Sequence, residues 1–508
     1  MDLLHTIAAN VIEWSALTLL FVIGLGILYL VIIYIIDVTQ TKQTIRRNYP
    51  VVGRFRYVFE HLGEFFRQYF FAMDREELPF NRAERSWAYR AAKKVDTTIA
   101  FGSTRPLDNE GDVIFLNCPF PTLDEEAVDP QPITIGGDSA QQPFTTSSIL
   151  NISGMSYGAI SRPAVTALSK GAKEAGIWMN TGEGGLSPYH LQGGCDLVYQ
   201  IGTAKYGVRD KDGNLSDDKL KAVASHEQVK MFEIKMSQGA KPGKGGILPG
   251  GKVTKEIADI RGIHVGQDSI SPNGHRDIHN VDDLLNMINR VRDVTGKPVG
   301  FKMVVGSLRF FDDLCAAILR RGAKSAPDFI TIDSADGGTG AAPQPLMDYV
   351  GMNIKESLPL VIDIITRYGL RDRIKFIASG KLITPGKVAW ALSVGADFCV
   401  SARGFMFSLG CIQALQCNKN TCPTGITTHK KDLQRGLVAE EKAVRVANYA
   451  KKIVYGVGLI AHSCGVKQPR ALSRHHVRVI ENSGRSSMLS DLYPVPEIDQ
   501  NLIAVKSL

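Results

Sequence analysis

Three of the eight cysteines, Cys411, Cys417 and Cys422, lie close together in the segment CIQALQCNKNTCPTG (residues 411–425). Their spacing is Cys-x5-Cys-x4-Cys, with a proline directly after the third thiol. Zinc ribbons use paired Cys-x2-Cys units and the usual four-iron runs are tighter, so this spacing fits neither kind of site well. Three thiolates can hold a three-iron cluster without a fourth protein ligand. The alternative, from spacing alone, is three buried cysteines on a turn and helix.

The composition is that of an ordinary globular protein, with 22% charged and 44% apolar residues in a chain of 508. The net charge is +8, but the lysines and arginines are dispersed and form no basic run with interleaved aromatic residues. This distribution argues against nucleic-acid binding. The other five cysteines are scattered singly, which is not the pattern of a disulfide framework.

Short β-rich runs with helical stretches between them are the elements that must position these thiols. Eight runs are predicted as strands: SSILNIS (147–153), GIWMNT (176–181), MFEIKM (231–236), QDSIS (267–271), VGFKMV (299–304), FITIDS (329–334), IKFIAS (374–379) and DFCVSA (397–402). Most have the apolar core of strands that are buried on both faces. Eight β/α units of this length predict an α/β fold, the TIM (β/α)8 barrel. A doubly wound open sheet is the alternative on pattern alone.

Glycine-rich, polar loops follow most of these strands, at the end where a barrel carries its active site. They are GMSYGAIS, GEGGLSP and SQGAKPGKGGILPGG after the first three runs, ADGGTGAAP after the sixth, and GKLITPG and ARG after the last two. Loops after the last two strands of a barrel often bind phosphate through backbone N–H groups. No strand-GxGxxG-helix unit is followed by a suitably placed acidic residue, so no NAD(P)H domain is predicted. A phosphate-bearing cofactor of the barrel would then be flavin mononucleotide (FMN).

The N-terminal region carries 23 residues without a formal charge, WSALTLLFVIGLGILYLVIIYII, between Glu13 and Asp37. As a helix this run matches the hydrocarbon core of a bilayer, which is about 30 Å thick. No Lys or Arg precedes the run and several follow it, so the positive-inside rule places the N-terminus outside and the rest in the cytoplasm. A cleaved signal peptide is the alternative, although the run is long and lacks a basic n-region.

The segment between this run and the barrel is rich in aromatic and basic residues from about Val51 to Lys94. It is typical of an amphipathic helix near a membrane surface, or of aromatic residues that pack against the main domain. The predicted domains are a transmembrane anchor (1–40), juxtamembrane helices and an irregular connecting segment (41–145), the barrel with its cysteine cluster (146–430) and a C-terminal helical extension (431–508).

Six motifs occur in the order in which the flavin-binding synthase domain of glutamate synthase carries them: SGMSYGAIS, NTGEGG, QGAKPGKGGILPGGKV, ISPNGHRDIHNVDDL, DGGTGAAP and LGCIQALQCNKNTCPTGI. From about Leu150 to Thr428 the chain resembles that family. The resemblance implies a TIM barrel that carries FMN and a [3Fe-4S] cluster and reductively aminates 2-oxoglutarate to glutamate. It implies that Cys411, Cys417 and Cys422 are the cluster ligands. It places around the flavin Ser153, Gly154, Met155, Ser156, Gln238, Lys302, Asp336, Gly337, Gly338, Gly380, Lys381, Arg403 and Gly404.

Residue types suggest roles in that reaction. Ammonia condenses with the 2-oxo group to give 2-iminoglutarate, and reduced flavin delivers hydride to the imine carbon. The dianionic substrate needs cations, for which Lys235 and Lys241 are candidates, with Gln238 as a hydrogen-bonding partner. Lys302 is expected beside the N1–C2=O region of the flavin, and Glu183 is a candidate general acid or base. Glu183, Lys241 and Lys302 are therefore the predicted catalytic residues, and for each lysine the alternative is a surface cation.

Departures from the family pattern bear on substrate and partners. Full glutamate synthases begin with a glutaminase domain whose nucleophile is an N-terminal cysteine, whereas this chain starts Met-Asp. Ammonia is therefore expected to be free or to come from a separate amidotransferase subunit. The acidic residue that usually follows GEGG is missing, which leaves open a different imine, as in an N-methylglutamate synthase. Electrons are expected from a ferredoxin, a partner reductase or a membrane donor; a membrane-tethered electron carrier without synthase activity is the other alternative.

Overall fold

The computed structural model of the protein describes residues 2–96 and 98–504. The chain forms two compact units, Met1–Ala83 and Glu84–Leu508. The described part of the first unit is helical, and the second unit contains a closed β-barrel with its helices. The four-part division expected from the sequence stays a prediction.

The first unit begins with a long apolar helix. Its helices are α1 (Asp2–Thr39), α2 (Thr44–Asn48) and α3 (Gly53–Phe66), followed by a π-helix (Arg67–Phe71). Among the described residues, α1 is the one helix long and apolar enough to cross a membrane, with a mean hydropathy of 3.0 over 18 residues. A signal sequence near an N-terminus can also meet these two criteria.

Eight parallel strands close into a barrel in the second unit. They are β1 (Leu150–Ile152), β2 (Met179–Asn180), β3 (Leu197–Ile201), β4 (Val229–Lys235), β5 (Val299–Val304), β6 (Phe329–Asp333), β7 (Lys375–Ser379) and β8 (Phe398–Ser401). The last strand pairs back onto the first, with Ser401 opposite Ile152. The closed parallel sheet confirms the predicted TIM barrel and excludes the open, doubly wound sheet.

Helices connect these strands and cover the barrel. The remaining helices are α4 (Arg82–Ala92), α5 (Arg162–Ala175), α6 (Pro188–Leu191), α7 (Asp217–Ala224), α8 (Lys255–Arg261), α9 (Val281–Thr295), α10 (Arg309–Arg321), α11 (Gln344–Tyr349), α12 (Ile354–Arg367), α13 (Pro385–Val394), α14 (Arg403–Leu409), α15 (Lys431–Gln434), α16 (Ala439–Ser463), α17 (Leu489–Leu492) and α18 (Gln500–Ala504). The long helix α16 packs against α5 so closely that a Cβ added at Gly171 would lie 2.5 Å from the Cβ of Val446.

Seven of the eight predicted strands are barrel strands, and the fourth prediction is wrong. Within residues 267–271 only Ser269–Ile270 is a strand, and it pairs antiparallel with Ile247–Leu248 outside the barrel. The true third strand, β3, is missing from the prediction because Gln200 interrupts its apolar run. This side chain is buried inside the barrel and donates a hydrogen bond to Glu233 Oε1 at 2.7 Å. The predicted third strand is therefore the fourth, and the SQGAKPG loop follows β4.

Apolar side chains close the N-terminal end of the barrel. A hairpin of Ile133–Ile135 and Phe144–Thr146 lies there. Phe144 and Phe398 both pack edge-on against Trp178, with ring centroids 6.2 and 5.0 Å from that of the tryptophan. Full burial of such a phenylalanine stabilises the fold by about 1.5–3 kcal/mol. Chemistry is therefore left to the C-terminal end, where the loops after the strands converge.

A small antiparallel sheet joins the two flanks of the barrel sequence. Val113–Phe115 pairs with Val477–Ile480, which in turn pairs with Ser486–Met488. The segment that leads into the barrel and the C-terminal segment are thereby held together by backbone hydrogen bonds.

Candidate active site

A solvent-open cleft lies at the carboxyl ends of the barrel strands. Its cavity volume is about 160 Å³. The predicted site residues in its lining are Gly154, Met155, Ser156, Glu183, Lys235, Gln238, Lys241, Gly338, Arg403 and Cys417. The predicted residues that lie outside the lining are Ser153, Lys302, Asp336, Gly337, Gly380, Lys381, Gly404, Cys411 and Cys422. One cleft thus joins the loops after β1, β2, β4, β6 and β8 to the cysteine segment.

An ion pair lies on the cleft wall, with Lys235 Nζ 3.0 Å from Glu183 Oε1. Lys235 ends β4 and Glu183 follows β2, so closure of the barrel brings them together. Two glycines make room for the carboxylate, because an added Cβ would lie 2.7 Å from Glu183 Oε2 at Gly202 and 2.3 Å from Oε1 at Gly246. Burial alone would raise the pKa of Glu183, but the positive charges around it, chiefly Lys235, hold that pKa below the value of an ordinary glutamate.

Lys241, on the loop after β4, is buried in the cleft lining. Burial, and then the nearby charge of Lys235, lower the pKa of Lys241 to about 8, against the opposing effect of Glu183. A lysine with such a pKa exchanges its proton near neutral pH. It can therefore serve both as a cation for a substrate carboxylate and as a proton donor.

Lys302, on β5, lies beneath the cleft rather than in its lining. Its Nζ is 3.1 Å from Asp333 Oδ2 at the end of β6. Asp333 also accepts hydrogen bonds from the backbone N–H of Gly239 at 2.9 Å and from the Ser379 hydroxyl at 2.7 Å. Burial alone would lower the pKa of Lys302, but Asp333 and Glu233 raise it above the usual value. Lys302 is thus a permanent cation inside the barrel, and its predicted contact with a flavin stays a prediction.

A buried hydrogen-bond network under the cleft is absent from the sequence prediction. Glu233, in β4, accepts hydrogen bonds from Asn180 Nδ2 at 2.8 Å, Gln200 Nε2 at 2.7 Å and Thr331 Oγ1 at 2.6 Å. Asn180 Oδ1 in turn accepts from the backbone N–H of Gly182 at 2.9 Å. The network joins four strands and fixes the start of the loop that carries the cleft carboxylate.

Two further cations line the cleft and are missing from the predicted set, Arg261 and Lys252. Arg261 ends α8 and donates to the Ser156 hydroxyl at 3.3 Å, while its buried Nε has no partner among the described residues. Lys252 donates to the carbonyl oxygens of Ala159 at 2.7 Å and Cys417 at 3.3 Å. Burial lowers the pKa of Lys252 to about 8. The first loop of the barrel is therefore tied to α8 and to the cysteine segment by positive side chains.

Glycines allow the predicted flavin loops to approach one another through their backbones. Gly182 has a φ of +66°, and an added Cβ there would lie 2.5 Å from the backbone nitrogen of Ser156. An added Cβ at Gly338 would lie 2.9 Å from Cγ of Arg403. The guanidinium group of Arg403 donates to the carbonyl oxygen of Thr339. The lining of this side of the cleft is thus largely backbone, as close contact with a cofactor requires.

The remaining predicted flavin residues make contacts within the protein. Lys381 Nζ lies 2.9 Å from Asp336 Oδ2, so these two side chains pair with each other beside the cleft. Gly404 is required by packing, since an added Cβ would lie 2.0 Å from the hydroxyl oxygen of Tyr449. For these residues a contact with the cofactor stays a prediction.

The three clustered thiols lie on the segment that follows α14. Cys411 and Cys417 are half-buried, Cys422 is buried, and all three are free thiols. Arg403 Nη1 lies 3.8 Å from the Cys417 Sγ, and the Tyr89 hydroxyl donates to the Cys411 carbonyl oxygen at 2.6 Å. Within the described residues no three His, Cys, Asp or Glu side chains are grouped closely enough to hold a single metal ion. Thiolates are the donors that iron–sulfur clusters take, and the role of these three as cluster ligands stays a prediction.

The family model described as the conserved region in glutamate synthase matches residues 122–467. This range holds all eight barrel strands, the cleft and the three clustered thiols. The chain belongs to the glutamate synthase family. Members are FMN-dependent barrel oxidoreductases that act on CH–NH2 donors, so the fold class and the enzyme class predicted from the sequence are both confirmed.

This glutamate synthase-family chain matches nearly the full length of one curated relative and a little over half the length of another. The glutamate synthase large subunit-like protein YerD of Bacillus subtilis (strain 168) is 41% identical over 498 residues, which is 90% of this chain and 94% of that protein. The archaeal-type glutamate synthase (NADPH) of Thermotoga maritima is 35% identical over 316 residues, which is 60% of this chain and 59% of that protein. Among solved structures, the recombinant flavin-binding domain of baker's yeast flavocytochrome b2 covers 82% of this chain and 85% of its own at 12% identity, with a TM-score of 0.43.

The glutamate synthase-family range leaves out α4, yet α4 packs onto the barrel unit. The ring of Trp87 lies edge-on to that of Tyr449, with centroids 6.1 Å apart, and the ring of Tyr89 lies edge-on to that of Phe407 at 6.0 Å. Tyr89 is also the residue that donates to the carbonyl oxygen of Cys411. A helix outside the family model therefore supports the loop on which the thiols lie.

Proposed function

We propose that the protein makes L-glutamate from 2-oxoglutarate and ammonia by reductive amination, with FMN as hydride donor and a [3Fe-4S] cluster as electron relay. The observation that supports this most directly is the cleft in which Glu183, Lys235 and Lys241 lie together and Cys417 forms part of the wall. Membership of the glutamate synthase family supports the reaction class.

The charge of the cleft suits a dicarboxylate substrate. Its cationic lining residues are Lys235, Lys241, Lys252, Arg261 and Arg403. Glu183 is the one carboxylate among the described lining residues. An excess of positive charge in a cleft attracts a dianion and supplies charge-assisted hydrogen bonds to it. We assign Lys241 and Arg261 to the substrate carboxylates and Gln238 to an amide hydrogen bond, while Lys235 orients Glu183.

Formation of the imine needs a base for the incoming ammonium ion and an acid for the departing hydroxyl group. The lowered pKa of Glu183 keeps this side chain ionised at neutral pH, so it takes the base role and then stabilises the positive charge of a protonated imine. Lys241, with a pKa of about 8, can deliver a proton to the hydroxyl group that leaves as water. These assignments narrow the acid-or-base role predicted for Glu183.

Bound FMN would supply hydride to the imine carbon, and the cluster would pass single electrons to the flavin. The glycine-rich loops after β1 and β6, with Gly154 and Gly338 in the cleft lining, are the proposed flavin cradle. Cys411, Cys417 and Cys422 are the proposed cluster ligands. Lys302 would keep a fixed positive charge on the side of the barrel where the reduced flavin ring becomes anionic.

Electrons and ammonia would come from partners. Proposed electron donors are a ferredoxin, a partner reductase or a membrane donor, and ammonia would be free or supplied by an amidotransferase subunit. We also propose that α1 is a single membrane span with its N-terminus outside and the barrel in the cytoplasm, because basic residues follow the apolar run and none precedes it.

An anaerobic experiment tests the proposed reaction. The purified protein is reduced until its flavin absorbance bleaches, and 2-oxoglutarate and ammonium are then added. The expected result is return of the oxidised flavin spectrum together with an equivalent amount of glutamate. Reoxidation with methylamine but not with ammonium would move the assignment to another imine. A flavin that stays reduced with both amines, but is reoxidised by artificial one-electron acceptors, would identify an electron carrier.

A further inference from the structure

An exposed apolar stripe runs along α3 and the π-helix that follows it. Phe55, Phe59, Leu62, Phe66 and Phe70 recur at spacings of three and four residues and are 58, 66, 39, 45 and 74% exposed. The rings of Phe55 and Phe59 have centroids 6.4 Å apart, and those of Phe66 and Phe70 lie 5.6 Å apart. Soluble monomers rarely leave so many adjacent large apolar side chains in water. We therefore expect a binding partner or a lipid surface to shield the stripe from water.

The opposite face of the same helix is polar. Arg56, Glu60 and His61 are exposed there, between the turns that carry the aromatic side chains. Arg67, at the start of the π-helix, is exposed on the same side as Arg56. A helix with a wide apolar face, a charged opposite face and arginines at the border is the type that lies in the plane of a lipid interface.

A buried carboxylate fixes the start of α3 relative to α1. Asp37, near the end of α1, is fully buried and accepts hydrogen bonds from Arg46 at 2.6 Å, from Arg54 at 2.8 Å and from the backbone N–H of Val51 at 3.0 Å. Arg46 belongs to α2 and Arg54 to α3, so this group, the Asp37 clasp, ties three helices together. Removing Asp37 would leave both guanidinium groups without the carboxylate that they share. The clasp therefore restricts the angle at which α3 leaves α1.

We propose that α3 and the π-helix lie flat in the lipid–water boundary of a phospholipid bilayer, with the aromatic stripe toward the acyl chains and the Asp37 clasp setting their depth. The lipid surface is favoured over a protein partner because residues 14–36 of α1, whose end the clasp ties to α3, carry no charge and are mostly exposed. The same bilayer then shields the exposed apolar side chains of both helices from water. Attachment of this kind does not depend on the reaction proposed for the barrel.

Tryptophan fluorescence in phosphatidylcholine vesicles tests the orientation of α3. Phe59→Trp places the probe on the stripe, and Glu60→Trp places it one residue away on the polar face. In the reconstituted full-length protein, lipids brominated in their acyl chains should quench the emission added by Phe59→Trp and leave that added by Glu60→Trp unchanged, each measured against the unsubstituted protein. Equal quenching of both probes, or of neither, would overturn the proposal, provided that circular dichroism shows both variants folded.

Two further measurements separate the lipid surface from other covers and test the clasp. If quenching of the Phe59→Trp probe disappears when each vesicle holds a single protein, the stripe faces a second copy of the chain and the proposal is wrong.

Adding Asp37→Asn to the Phe59→Trp protein should reduce the quenching, because α3 is then no longer held at one depth. Glu13→Gln is the matched change in a charged residue of α1 outside the clasp and should leave the quenching as it was. Undiminished quenching with Asp37→Asn would remove the clasp from the proposal.

Discussion

Lys241 is expected to bind a substrate carboxylate only while it is protonated. Because its pKa is about 8, the KM for 2-oxoglutarate should rise as the pH increases through that value. Lys241→Gln should abolish this rise and weaken binding roughly tenfold to a hundredfold, since a hydrogen bond to a charged group contributes about 1.5–3 kcal/mol. Lys244→Gln, in an exposed residue of the same loop, is the control for steady-state kinetics between pH 6 and 10. A rise that survives in Lys241→Gln would assign the titration to another group.

Glu183→Gln is expected to destabilise the fold as well as to stop the reaction. It leaves Lys235 without its partner at a largely buried position, and breaking a buried pair in this way costs up to about 3–5 kcal/mol. The pKa of Glu183 is lowered in the folded state, so its contribution is present above the unfolded pKa and is lost as the pH falls through the folded pKa. The Tm difference between the two proteins should therefore shrink in acid.

A matched control for Glu183→Gln is Glu440→Gln, whose partner Lys170 lies 2.9 Å away on the surface. An exposed pair of this kind contributes little to stability, because water screens the two charges. Thermal unfolding at several pH values should thus show a large, pH-dependent effect for Glu183 and a small one for Glu440. Equal Tm values for wild type and Glu183→Gln at neutral pH would contradict the prediction.

Single residues could be proposed from the sequence because their types and loop positions point to chemistry. The structure brings Glu183, Lys235 and Lys241 into one cleft, although their roles stay predictions. Arg261 and Lys252 could not be found in this way. They reach the cleft because the chain between β4 and β5 folds back over the barrel mouth, and no local periodicity encodes that return.

At the scale of elements, buried apolar runs were sufficient for most of the barrel. The third strand was not predicted because Gln200 is polar, and polar residues in strands usually face solvent. Here its amide is satisfied inside the barrel by Glu233, which is a pairing between distant parts of the chain. Ser269–Ile270 has the composition of a strand but pairs only with another short strand outside the barrel. Composition alone cannot distinguish a barrel strand from a short strand outside the barrel, because the strand with which each one pairs determines where it lies.

The small strands after β4 also support a test of loop geometry. An added Cβ at Gly246 would lie 2.3 Å from Glu183 Oε1, whereas one at Gly251 would have no atom within 4 Å. Gly246→Ala should displace the carboxylate and lower kcat, with binding of FMN retained. Gly251→Ala, five residues further along, should leave turnover close to that of the wild type. Turnover and flavin content of both variants check this, and equal turnover would show that the carboxylate tolerates displacement.

At the scale of the whole molecule, retention or removal of α1 in the mature protein distinguishes a membrane anchor from a signal sequence. We expect the mature protein in membranes to retain residues 1–39, because the apolar run is long enough to span a bilayer. The mass of the protein extracted from washed membranes checks this directly. A mass that lacks the first helix, together with recovery in the soluble fraction, would establish cleavage.

The contacts of α4 have a practical consequence for anyone who wants the catalytic part alone. A fragment cut at the family boundary, residue 122, would keep every barrel strand and all three clustered thiols but lose Tyr89 and Trp87. Phe407 and Tyr449, which are 2% and 0% exposed in the whole chain, would then face water beside the cysteine loop. The shortest fragment worth expressing therefore begins near Glu84. A chimeric protein that contains only residues 122–467 of this chain would need another segment to pack against Phe407 and Tyr449.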